Sequence, residues 1–284
     1  MIRERGFADI MDLALRLIRG HALPLGLCWL VGAVPCALLN YALLWGALAE
    51  ADLEVQVPWQ YLGHLAVLMI WQTPLATATM TLYLGQALFL EKPSVGLIAR
   101  QFVSRLPQLF WLQVVVRGLI AFWFIYGYRN GYSSEAQTVL AIFVVIGWWM
   151  LYMLWPYSNE VLLLERNPLR RAPGQITTLR RITSMHAHAA SEVTLRWMIA
   201  TLVGWLLLTA LIVAWWNLVA LATFSAWPRA DFYAVYVPVA AWGTIGYFTV
   251  VRFLSYVDLR IRNEGWEVEL TLRTEGARIA RQLS

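Results

Sequence analysis

The chain has 284 residues, of which 60% are hydrophobic and 14% charged, with a formal net charge of +5. A soluble domain carries about 25% charged and 45–50% apolar residues, so a water-soluble globular protein is excluded as the simplest reading. Lys92 is the one lysine among 22 basic residues, and there are 16 Trp. With this apolar content, anionic lipid headgroups are the expected partner of the arginine excess, and nucleic acid is not.

In chain order, GFADIMDLALRLIRG places Phe7, Ile10, Met11, Leu13, Leu15, Leu17 and Ile18 on a broad apolar face at helical spacing. An amphipathic helix over 7–19, lying in the membrane interface, is expected. Six stretches then reach the length of about 20 apolar residues that a spanning helix needs. They are 22–49, 59–90, 107–127, 136–157, 195–227 and 232–257. The first is too long for the core of a cleavable signal and is expected to stay as a membrane helix. Ser94 follows Pro93 as a natural N-cap, so 94–106 reads as a second surface helix, with Pro107 opening the third span. A related helical segment is expected within 169–190. The tail after 257 is expected to remain outside the spans, with a short surface helix beyond Gly265.

Orientation follows from the arginines. The N-terminal flank, the 91–106 and 158–196 connections and the C-terminal flank together hold 19 Lys and Arg, whereas the alternate flanks hold only Arg129 and Arg229. The positive-inside rule then puts both termini in the cytoplasm of a multi-pass inner-membrane protein.

The exits of the even spans share a pattern. GQALFLEKPS (85–94) aligns with NEVLLLERNP (159–168), so that Gln86 matches Glu160 and a proline follows an acid–base pair; YVDLRIRNEGWEVEL puts Asp258 at the polar position. This suggests a threefold repeat of interfacial helix plus helical hairpin. These motifs, with TPLATATMTLYLGQALFLEKPS, resemble a broad group of bacterial six-helix membrane proteins that includes the membrane domain fused to some glycerophosphodiester phosphodiesterases. The resemblance implies an all-α polytopic domain over 1–284. It carries no catalytic residues, and the roughly 250 residues of a catalytic barrel are absent.

Arg117 lies near the middle of the third expected span. An arginine there costs at least about 2.5 kcal/mol by insertion scales, so it should face other helices. Gln113 shares its face, and Glu160 and Asp258 are the nearest acids by expected depth. A structural cluster of Arg117, Gln113, Glu160 and Asp258, with Arg117 paired to Glu160 or through Gln113, is the favoured reading. An anion or headgroup site is the alternative, and Glu160 as a proton carrier a further one. In HAHAASE, His188 and Glu192 share a helix face, but His186 points elsewhere, and a zinc site needs three or four convergent ligands. Cys28 and Cys36 are too far apart on one helix to bridge. No phosphate loop, H-E-x-x-H or G-x-S-x-G occurs. The expectation is a non-enzymatic scaffold or accessory subunit with no cofactor, holding lipid or a protein partner on its cytoplasmic face. A transporter with a site around Arg117 is the alternative.

Overall fold

The computed structural model describes residues 6–49, 57–89, 93–116, 118, 134–155, 157–165, 167–168, 176–224 and 230–264. All regular elements among them are helical. Among the described residues, four helical stretches are long and apolar enough to cross a membrane: Ala22–Ala49, Trp59–Leu88, Ala190–Thr223 and Phe232–Arg262. The third expected span is described only through residue 116 and at 118. The fourth corresponds to the 21-residue helix Ser134–Leu154.

Helix α1 (Phe7–Gly20) starts where the Asp9 carboxylate accepts the Gly6 N–H at 3.1 Å, satisfying one of the donors orphaned at a helix start. Its apolar face is spent on protein. Ile10 and Ala14 are fully buried, with Phe7, Met11, Leu17 and Ile18 packed around them against the last helix of the chain. The Tyr247 hydroxyl there donates to the Met11 carbonyl at 3.2 Å.

A turn at His21 leads into α2 (Ala22–Ala49), whose 28 residues run unbroken through Pro35. They make it about 42 Å long. The second apolar run is not one straight helix. It divides at Thr77 into α3 (Trp59–Ala76) and α4 (Ala78–Phe89). Pro74 has no N–H to donate, and its ring crowds the preceding turn. Thr73 and Thr77 donate their hydroxyls to Met69 and Thr73 carbonyls at 2.7 and 2.8 Å around the break. Here α2 approaches closely. A Cβ on Gly32 would collide with the Ala76 carbonyl, and the Thr79 hydroxyl donates to the Cys28 carbonyl at 2.7 Å. Residues 78–86 are all buried, making α4 the centre of the bundle.

Helix α5 (Val95–Leu109) continues without interruption into a π-helical segment, Phe110–Val116. The surface helix and third span expected as separate pieces are therefore continuous across Pro107. Ser94 is the N-cap residue, but its side chain makes no cap bond. Its N–H donates instead to Gln86 of α4 at 3.1 Å. Helix α6 (Ser134–Leu154) packs on α3 through Val144 against Val67. A short turn, α7 (Ser158–Glu160), then passes into a second π-helical segment, Val161–Glu165.

Helix α8 (Thr178–Thr223) is a single element of 46 residues, about 69 Å long. This revises the expected start of the fifth span at Leu195. The segment expected within 169–190 joins that span directly, because no Pro or Gly interrupts 178–203. Thr177 caps it, accepting the Arg180 N–H on its hydroxyl. A third π-helical segment, Phe232–Tyr236, leads into α9 (Val237–Glu264). Pro107 and Pro238 lie beside two of the π-helical segments in sequence, where a missing i→i−4 bond lets the register slip.

Candidate functional site

The charged residues collect where the turn after α6, the N-terminal half of α8 and the C-terminal half of α9 meet. Beneath them lies an apolar cluster of Tyr157, Val161, Ile182, Met185, Val193, Tyr256 and Leu259. Above it, three ion-pair nodes are built from helical spacing.

The first joins α8 to α9. Glu192 and Arg196 are four apart on α8, as are Asp258 and Arg262 on α9, so each pair shares a face. The helices run antiparallel and the two pairs interlock. Arg196 reaches Glu192 at 2.7 Å and Asp258 at 2.9 Å. Arg262 donates to both oxygens of Glu192, at 2.9 and 2.8 Å, and lies 3.2 Å from Asp258. Such bidentate pairs are the strong ones.

The second and third nodes join the α7 region to α9. Arg252, Tyr256 and Arg260 also recur every four residues, on another stripe of α9. The Arg252 Nε donates to Glu160 Oε1 at 2.7 Å. Tyr256 donates its hydroxyl to Glu165 Oε1 at 2.8 Å. Glu165 also accepts from Arg181 at 2.8 and 3.3 Å and from Asn167 at 2.9 Å. Glu160 and Glu165 are five residues apart. In an α-helix that spacing would turn them about 140° from one another. The π-helical segment between them has an i→i+5 register and brings both acids round toward α9. The Tyr157 and Tyr256 rings, 5.9 Å apart, separate the nodes.

Glu160 is wholly buried, while the Arg252 side chain is 13% exposed. Their contact is single: among the described residues, Glu160 Oε2 and one terminal nitrogen of Arg252 are buried without a hydrogen-bond partner. One residue earlier, Asn159 donates to the Pro74 carbonyl at 2.8 Å, tying this node to the break in the central helix. Nearby in sequence, Gln72 donates to Asn40 at 2.7 Å between α3 and α2.

Of the residues singled out by sequence, Glu160 and Asp258 both belong to this end, in different nodes. Arg117 and the side chain of Gln113 lie outside the described residues, and with them the Arg117 half of the expected pair. On the Glu160 side the structure seats Arg252. Arg196, Arg252 and Arg262 had the look of flanking charge and are structural partners instead. The Glu192/Arg196 and Asp258/Arg262 spacings were the signal available for two of them. Arg252 had none, because its partner is 92 residues away. Gln86, which aligns with Glu160, plays a different part. It holds the start of α5 through Ser94 and donates to Gln101 at 3.3 Å.

Each of the four acids in these nodes is held by at least one arginine, an arrangement suited to joining helices. Among the described residues no group of three or more His, Cys, Asp or Glu is placed to hold a metal ion. The side chains of His186 and His188 lie outside the described residues. Comparison with family models, with curated proteins and with solved structures finds no match to this chain.

Proposed function

We propose that this chain is a non-enzymatic, six-span inner-membrane protein that acts as a scaffold or accessory subunit. Its arginine-rich cytoplasmic collar binds anionic lipid and offers a seat for a protein partner. Both termini are cytoplasmic, so the ion-pair nodes sit at the inner membrane surface. One observation carries this reading. The node acids are taken up by internal pairs, whereas Arg19, Arg100 and Arg180 remain exposed with no ion-pair partner among the described residues. They lie on α1, α5 and the start of α8, one on each collar helix. A basic side chain near an anionic leaflet contributes about 1 kcal/mol.

The threefold plan is supported by packing. Helix α5 rests on α4, α8 rests on the segment after α7, and α1 rests on α9, the exit of the last hairpin. Each collar helix thus meets an even-numbered exit, and α1 closes the ring.

The test is the lipid retained by protein purified in mild detergent. The wild type is expected to keep phosphatidylglycerol or cardiolipin in preference to zwitterionic lipid. The R19Q/R100Q/R180Q variant is expected to lose that preference; equal lipid composition in both would reject the collar. A second reading, a transporter with an anion or headgroup site around Arg117, has one observation in its favour: the central helix is broken at Thr77, as substrate-lining helices often are. Uptake of an anionic solute that vanishes in R117L, with folding intact, would establish it.

A further inference from the structure

Two of the collar helices, α1 and α5, differ in what their apolar residues touch. On α1 the apolar stripe is buried in protein, and Leu15 is its one large exposed hydrophobic residue, at 56%. On α5 the protein buries Ile98 and Leu109 and covers Phe102 and Leu106 in part. A second apolar line runs along the outside: Val95 is 81% exposed and Val103 61%, with Ala99 and Pro107 exposed between and beyond them. Steps of four keep this line on one side of the helix. It continues into Phe110 and Trp111, 54% and 59% exposed, where the chain enters the apolar third run. Arg100 is exposed three residues before Val103.

We infer that α5 is a lipid-engaging element of the collar. It lies in the cytoplasmic leaflet with Val95, Val103 and Phe110 among the acyl chains, and Arg100 binds the phosphate of an anionic lipid. This rests on the collar reading above and narrows it, because α1 becomes a protein-bound strap that contributes charge but no insertion. Three features select lipid as the occupant. The stripe is apolar along its length, it joins without a break the start of the apolar third run, and a cation with no ion-pair partner among the described residues stands beside it. An amphipathic helix seated at a leaflet combines the same elements, and Trp111 falls where indole rings prefer to sit.

The test uses full-length protein in nanodiscs of phosphatidylcholine, with and without phosphatidylglycerol. Variants V95C, V103C and, as an aqueous reference, D12C each carry a nitroxide. Labels at 95 and 103 are expected to meet oxygen more often than a water-soluble nickel chelate, and the label at 12 the reverse. R100Q, whose exposed site should leave folding intact, is expected to lower the preference for phosphatidylglycerol about fivefold while the label at 103 stays embedded. A label at 103 as aqueous as that at 12 would overturn the inference, as would one shielded from both reagents, which would indicate protein cover. An unchanged lipid preference in R100Q would overturn the role of that residue. Failure of the wild type to retain anionic lipid, with labels still embedded, would sink the collar reading and leave the seat of α5 standing. Retained lipid with aqueous labels would do the opposite.

Discussion

Replacing Glu160 by Leu removes a carboxylate with no solvent exposure and strands Arg252, which is 13% exposed. Replacing Arg252 by Leu strands the acid instead, with both oxygens buried and the one described donor gone. Breaking a buried pair from one side costs about 3–5 kcal/mol, because the remaining charge is uncompensated. Replacing both partners leaves no stranded charge, and a Leu pair adds apolar packing beside Val161 and Leu162, which are fully buried. The double variant is therefore expected to be more stable than either single one, with a coupling energy on the order of 2 kcal/mol or more. Equilibrium unfolding by SDS in mixed micelles reads all four proteins. Singles costing under about 1 kcal/mol, or costs that simply add, would refute the buried pair.

Other consequences can be checked with the same assay. Arg117→Leu combined with Glu160→Leu should show weaker coupling than Arg252→Leu does, because Arg252 already holds Glu160 Oε1. Deleting Leu163 should convert the π-helical segment to α-helix and leave Glu165 four residues after Glu160, about 40° from it on the same face, so its contacts with Arg181 and Tyr256 should be kept; a loss of stability comparable to that of Glu165→Ala would count against the register argument. Asn159→Ala should cost about 1–3 kcal/mol by leaving the Pro74 carbonyl without its side-chain donor. Gly32→Leu should prevent folding, since the obstacle is backbone rather than a side chain that could move. For topology, a reporter fused after Ser284 should behave as cytoplasmic, and cysteines placed at Asp52, Ser134 and Arg229 should label from outside.

The helical class was legible because apolar run length and amphipathic spacing are local properties. The first helix was expected at 7–19 and ends at Gly20, and α2 spans 22–49 as expected. What an amphipathic face touches was not legible. Helices α1 and α5 look alike in sequence, yet the stripe of α1 packs on α9 while α5 buries part of its apolar surface and keeps a second line exposed. A helical segment was expected within 169–190, but that it would run on into the fifth span was not. The stretch 178–194 carries arginines and histidines, but it contains no residue that breaks a helix, so hydrogen bonding runs on into the apolar part. The partner of Glu160 depends on which helices are neighbours, a long-range property that depth along single helices does not contain.

Binding linked to stability tests the collar most directly, since a ligand that prefers the folded protein raises its unfolding temperature. Thermal unfolding should be compared in nanodiscs of phosphatidylcholine alone and with phosphatidylglycerol, for the wild type and for R19Q/R100Q/R180Q. The expected result is a higher Tm with the anionic lipid in the wild type and no difference in the variant. The same Tm in both lipids for the wild type, or a gain that the variant keeps in full, would contradict a lipid-binding collar.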